Sequence, residues 1–408
     1  VSLSNLPNVL FVTHRVPFPP DKGDRIRTYH LLRYLAGRSR VHLASFADEP
    51  VTPETTEHLS RLTVRFSAIP HGVSKWPGGA RSFLFGHSIS EGIFSRPGMR
   101  KLLGEWLADT PFQGVVLSAS SLASYLKKPG FGKAVTIVDS VDVDSQKWLD
   151  YAAASAPPKK WVFAAEGKRL RRTEQRISEM ADAVTFVSER ETQLVREYCR
   201  QPEKIVTATN GVDLAYYSPQ PHPNPRGIVF VGALDYKPNV EGICWFAKTI
   251  WPTMRHYAPT ATLKIVGRRP VPAVRELGAI PGIEMIGQVP DVRPALAESA
   301  VVIAPLMIAR GLQNKVLEAM AFGKPVVGSP AALAGFGHPE HLPAVPAETP
   351  DEWVHRTVTL LNDPARCWEL GMAGRRYAEA YHDWQQCLAP FGRLLRLDQT
   401  GVTPGPTS

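Results

Sequence analysis

The chain is expected to fold as an α/β protein with two Rossmann-like, doubly wound domains facing each other across a cleft. Three observations lead there. Short apolar runs alternate with helical patterns along the 408 residues, as parallel strands joined by crossover helices require. The pattern restarts at Gly227, after a proline-rich segment. Each half then places its strand ends at one edge, where open α/β sheets bind ligands.

In the first half, Asn8–Thr13 reads as a buried strand. The loop Arg15–Asp24 follows, then a helix near residues 24–37. Val41–Phe46, Thr63–Ile69, Gly114–Leu117, Ala134–Asp139 and Ala183–Val187 are the next strand candidates. Between the third and fourth strands, Trp76, Phe83, Leu84, Phe85, Ile93, Phe94 and Trp106 interleave with Lys75, Arg81, Arg96, Arg100 and Lys101. That mix suits either a core cap or a membrane face, and no clean period decides between them. Ser188 with Glu191 reads as a capping box.

Tyr216–Arg226 holds four prolines, which block helix interiors and sheet ladders, so it reads as a stiff linker. Residues 1–215 then form the first domain and 227–383 the second. The second opens with the strand Gly227–Gly232 and a helix near Val240–Met254. Thr262–Gly267, Ile283–Gly287 and Ala300–Pro305 follow as strands, and helices are expected near residues 351–362 and 365–381. Residues 399–408, rich in Gly, Pro, Ser and Thr, are expected to be disordered.

Gly311–Pro330 reads as loop, helix, tight turn and buried strand. Leu312, Val316 and Met320 recur at i, i+4 and i+8 and give the helix a face to bury. Gly323 suits a left-handed C-terminal cap, and Pro325 prevents continuation. Lys315 and Glu318 share one helical face. A cation beside helix N-terminal N–H groups suits a phosphate, and a carboxylate one turn on can accept two hydroxyl hydrogen bonds, as from a ribose. An ordinary i, i+3 ion pair is the plainer reading of the same spacing.

Composition excludes several classes. Apolar residues make up 44% and charged residues 21%, as in ordinary globular proteins. No segment approaches the ~20 apolar residues that cross a bilayer. The start, Val1–Pro7, lacks the basic and apolar regions of a secretory signal. Four scattered cysteines favour neither a disulfide framework nor a zinc site, and a reducing cytoplasm is the expected compartment. The net charge of +9 comes without a finger, RNA-recognition or basic-zipper pattern, so no nucleic-acid partner is expected. A basic surface equally suits a diphosphate or an anionic membrane face. The densest positive run, Lys168–Arg172 with Arg176, reads as a solvated helix face.

Lys315-Val-Leu-Glu-Ala-Met-Ala-Phe-Gly-Lys-Pro-Val-Val327 resembles the nucleotide-sugar signature of retaining glycosyltransferases with the GT-B fold. The resemblance extends over most of the chain. Asp235-Tyr-Lys-Pro-Asn239 followed by Trp245-Phe246 is similar to a narrower subgroup tied to exopolysaccharide and exosortase systems. The resemblance implies that a helix at about 384–398 crosses back to the first domain. It implies that Glu318 holds the donor ribose, and that Gly311, Leu312, Gln313, Asn314 and Lys315 face the diphosphate. Gln288, Val289 and Val292 would flank the nucleotide base through their backbone, with Asp291 as a helix N-cap. Gly232, Asp235, Lys237 and Asn239 would border the diphosphate, although Asn239 also reads as an N-cap. In the first domain, Gly23 and Asp24 would approach the acceptor, Arg25 and Arg27 would meet an anionic acceptor, and Asp24 also suits a helix cap. Asn210 would lie near the hinge, its Asn-Gly reading as a turn.

The chain departs from the pattern at four places. The usual arginine near Gly232 is absent, and so is the usual histidine after the fourth strand. Asp24 stands where relatives have a second glycine. Arg310 stands where most relatives carry a further glutamate, eight positions before Glu318. Arginine stays protonated and cannot be a nucleophile, but it can fork to phosphate oxygens. No acidic residue lies between Glu298 and Glu318, so this loop offers no carboxylate nucleophile. Asp139, Asp142 and Asp144 crowd one strand end, and Asp142 or Asp144 is a candidate acid or base, or a helix cap.

These features imply a cytoplasmic, membrane-peripheral glycosyltransferase without cofactor or metal. It would move a sugar from a nucleoside diphosphate donor to a lipid-linked or growing glycan. A nucleotide-sugar epimerase and a silent sugar-binding scaffold are the alternatives. A phosphorylase lacks a recognisable cofactor lysine.

Overall fold

A computed structural model describes residues 6–21, 23–71, 88–128, 130–220 and 225–397. Lys75, Trp76, Arg81, Phe83, Leu84 and Phe85, part of the linker and the C-terminal tail lie outside them. The chain divides into two compact units: residues up to Thr209 together with those from Leu388 onward, and Asn210–Cys387.

Among the described residues the first unit has a seven-stranded, all-parallel sheet ordered β3-β2-β1-β4-β5-β6-β7. Its strands are β1 (Asn8–Thr13), β2 (Arg40–Ala47), β3 (Arg65–Pro70), β4 (Gly114–Ser118), β5 (Val135–Val141), β6 (Ala183–Phe186) and β7 (Ile205–Thr207). Leu10 and Val12 join a core cluster on one face, while Val9 and Phe11 are equally buried on the other. A sheet covered on both faces explains why β1 reads as a continuous apolar run. Phe94 and Trp106, on the helices Ile89–Phe94 and Pro97–Asp109, pack against that core.

The second unit has a six-stranded parallel sheet among the described residues, ordered β10-β9-β8-β11-β12-β13. Its strands are β8 (Ile228–Val231), β9 (Leu263–Val266), β10 (Ile283–Gly287), β11 (Val301–Ala304), β12 (Val326–Gly328) and β13 (Val345–Pro346). Ile228 and Phe230 enter one cluster and Val229 the other; Val301 and Ile303 part from Val302 and Ala304 in the same way. Strand order reverses between β8 and β11, so the chain leaves their carboxyl ends in opposite directions and opens a crevice there. Both sheets belong to Rossmann-like units wrapped by helices, the fold class expected.

Several local expectations change. The single helix expected near 240–254 starts earlier, at Lys237, and includes a π-helical turn at Phe246–Ile250 before Trp251–Tyr257. The helix after the Gly311 loop is shorter, Asn314–Ala321. It ends in a Schellman motif: the Lys324 N–H donates to Ala319 O, the Gly323 N–H donates to Met320 O, and Gly323 has φ +75°. Ser188 caps its helix, but Glu191 turns away from the box and accepts from the Val143 N–H at 2.6 Å. The positive run on Lys159–Met180 is only partly solvated: Arg171 bonds Gln146 and lies over the Tyr198 ring, and Arg176 pairs with Glu91. Gly211 is needed for packing rather than for a turn, since a Cβ there would meet Trp384 at 2.7 Å.

Candidate functional site

At the β8/β11 crevice the backbone comes first. Gly232 follows β8, and a Cβ on it would sit 2.8 Å from Asn239 Nδ2 and 3.0 Å from Lys315 Nζ. The missing side chain lets those two groups reach the strand end. Asn239 lies within the helix Lys237–Trp245, which Tyr236 precedes as N-cap, so the N-cap reading of Asn239 is corrected. Pro238 moves the helix start back, because proline suits the first helical turn. The buried Asn239 amide donates to Ala233 O at 2.8 Å and accepts from Lys315 Nζ.

Lys315 is the second residue of its helix and also rests on the Phe230 ring, 4.8 Å from its centre. Burial pushes its ammonium down to about 7, and the charge of Glu318 only partly offsets this. Burial pushes the Glu318 carboxyl up to about 7, against the Tyr217 hydroxyl hydrogen bond and the Lys315 charge. Their polar ends therefore turn to different partners, Asn239 and Tyr217, and the plain ion-pair reading gives way. Gln313, the N-cap, provides no side-chain cap, so the helix N-terminus keeps donors for an anion. Gln313 Nε2 instead donates to Arg310 O at 2.9 Å, which folds the loop back. Gly311 makes the tight bend with φ +59° in that loop, and its carbonyl lies 2.0 Å from where a Cβ on Gly335 would be. Leu312 is buried in the core. Asn314 Oδ1 accepts from Asn210 Nδ2 at 3.1 Å, and Asn210 O meets His382 Nδ1 at 2.8 Å. Asn210 thus braces the helix start.

Asp235 and Lys237 are exposed; they approach Arg269 at 3.7 Å and Glu241 at 3.6 Å. Gln288 is exposed, Val289 and Val292 half-buried, after a bend at Gly287 with φ +75°. Val292, not Asp291, is the N-cap of Arg293–Glu298. Asp291 instead accepts from the Arg293 N–H and guanidinium and from Tyr216.

In the first unit, two expectations are overturned. Arg25 is 5% exposed and its guanidinium faces Asp21, Asp48 and Glu49, so it does not present its charge to an anionic acceptor. Arg27 is buried and forks onto Asp139, both contacts 2.8 Å, with Thr185 on the same carboxylate. That pairing dissolves the aspartate cluster: Asp139 is held in an ion pair with Arg27, and Asp144 accepts from Ser120. Val143 is the N-cap of the helix Asp144–Ala153, so neither Asp142 nor Asp144 caps it. No group of three or more His, Cys, Asp or Glu side chains among the described residues is arranged to hold a metal.

Gly23 opens the helix Gly23–Ala36, with Asp24 in its first turn. Burial raises the Asp24 carboxyl, but His14 and Arg15 together hold it well below the usual carboxylate range. His14 escapes sequence reasoning. It follows β1, yet its Nδ1 meets Ser118 O at 2.9 Å, because β1 and β4 are neighbours at the first sheet's own switch point. The edge that lacks a histidine after β4 thus receives one from β1. Tyr217 and Phe230 were likewise invisible, since nothing local ties them to residue 315 or 318.

Two paired α/β sheets, each with its switch point at the carboxyl edge, define the GT-B fold of glycosyltransferases. A sucrose-phosphate synthase from Thermosynechococcus elongatus is similar at a TM-score of 0.72 and 18% identity, over 98% of this chain and 100% of that one. HepE from Anabaena, solved in complex with UDP, is similar at 0.66 and 14%, over 95% and 99%. WaaG, a glycosyltransferase involved in lipopolysaccharide biosynthesis, is similar at 0.64 and 15%, over 97% and 100%. Residues 225–363, all within the second unit, match the family model of glycosyl transferases group 1.

Proposed function

We propose that the chain transfers a sugar from a nucleoside diphosphate donor to a hydroxyl of a lipid-linked or growing glycan, in exopolysaccharide or cell-surface glycan synthesis. The observation that carries this reading is the Lys315–Glu318 pair at the β8/β11 switch point, both poised near neutrality by burial. Glu318 accepts the ribose hydroxyls. Lys315 and the uncapped helix N-terminus stabilise the charge that develops on the leaving diphosphate, an electrostatic task. Arg310 adds a fork to the phosphate oxygens. The base lies along Gln288–Val292. With no carboxylate between Glu298 and Glu318, retention proceeds on one face of the sugar without an enzyme nucleophile from this loop. The UDP bound by HepE makes UDP the first nucleotide to try.

A thermal-shift panel of UDP, GDP, ADP and dTDP with their sugars tests the reading. One nucleotide should stabilise the chain selectively, and Glu318→Ala should abolish that shift. A panel with no nucleotide response would sink the proposal. Arg310→Ala should lower turnover; unchanged donor affinity and unchanged turnover would remove its role.

A further inference from the structure

The first unit has a cavity of about 240 Å³. Its walls come from the helix Ile89–Phe94, the start of Pro97–Asp109, the helical turn Ser120–Tyr125 and the long helix Lys159–Met180. Three cations line it, Arg100, Lys127 and Arg176, against one acid, Glu91. That acid is already satisfied: Oε1 accepts from Arg176 at 2.6 Å, and Oε2 accepts from the Thr173 hydroxyl at 2.9 Å. Arg100 donates to Ser95 Oγ at 2.9 Å with one nitrogen and keeps further N–H groups for a ligand. Lys127 makes no ion pair among the described residues. Ser124 also lines this cavity, with its Oγ buried and without a hydrogen-bond partner among them.

A guanidinium and an ammonium with unused donors line a space smaller than the ~300–1,000 Å³ of pockets that enclose a whole drug-sized ligand. The chemistry that satisfies both is a tetrahedral anion, with oxygens enough for each donor. We propose that this cavity is a phosphate-binding site, separate from the crevice at Lys315, that takes the phosphate of a phosphomonoester or phosphodiester. Free phosphoesters and lipid headgroups share this chemistry.

The test uses the full chain and inorganic phosphate as the probe, by calorimetry and thermal shift at constant ionic strength. Phosphate should bind saturably where chloride does not, and the response should persist in Lys315→Met. In the double variant Arg100→Gln/Lys127→Gln it should weaken by about tenfold or more. Both side chains are exposed, so that variant keeps its fold. Vesicles separate the sources: capture by phosphatidylglycerol but not phosphatidylcholine vesicles, lost in the double variant, identifies a headgroup. A phosphate response without vesicle capture identifies a soluble ester. No saturable phosphate response, a response unchanged in the double variant, or one lost in Lys315→Met overturns the proposal.

Discussion

Lys315 has given up much of its preference for a proton in exchange for a place beside Asn239 and Phe230. A diphosphate arriving there restores that preference, because an adjacent anion favours the charged form. With a free-state value of about 7, donor binding above neutrality should therefore take up a proton at this residue. Glu318, raised to about 7, has the opposite sign: hydroxyl donors favour its ionised form and release a proton. Lys315→Met should weaken nucleotide binding by about tenfold or more and leave net proton release, read by calorimetry in buffers of different ionisation enthalpy. Net uptake surviving in that variant would contradict the assignment. The motif around Lys315 was legible because its residues are consecutive. Arg27 was misread because nothing near it announces a carboxylate such as Asp139, 112 positions away, whereas the partner of Arg25 at Asp21, one helical turn before it, was open to a reading of i, i+4 spacing. Asn239 was misread because its neighbours suit a cap until Pro238 shifts the helix start.

The helices Lys237–Trp245 and Asn314–Ala321 must approach the β11 end closely if Asn239 and Lys315 are to meet. Gly242 permits it: a Cβ there would lie 2.2 Å from Pro305 O, a backbone atom that cannot swing aside. Gly242→Ala should cost about 1–3 kcal/mol of stability by overpacking. It should also weaken nucleotide binding in the protein that remains folded; a thermal midpoint and affinity equal to the parent's would show that the two helices have slack. Strands such as β1 and β11 were legible because burial on both faces makes them unbroken apolar runs. β7, with three residues, and β13, with two, are too short to show any period. The π-helical turn was hidden because an apolar stripe looks continuous across one extra residue.

Across the whole molecule, the alternation of strands and helices was enough to read two α/β units, while their partnerships across the chain were not. A buried carboxylate in the first unit makes its stability depend on pH. Burial raises Glu174 to about 7, despite hydrogen bonds from Ser145 and Tyr198. The folded state then holds a proton that the unfolded chain releases near 4.5, so this contribution is complete below 4.5 and is lost as pH rises through 7. Glu174→Gln should flatten that slope in denaturant titrations between those values; an unchanged slope would place the dependence elsewhere. The helix Trp384–Leu394 begins in the second unit and ends in the first, where Leu388, Phe391 and Leu395 are fully buried and Leu395 O accepts from Gln113. In topological terms the second unit is an insertion, and the first is a discontinuous domain that closes only when the last stretch of chain arrives. A ribosome therefore finishes the second unit before the first, and a protein cut at Cys387 should keep a folded second unit while the first exposes its core to protease.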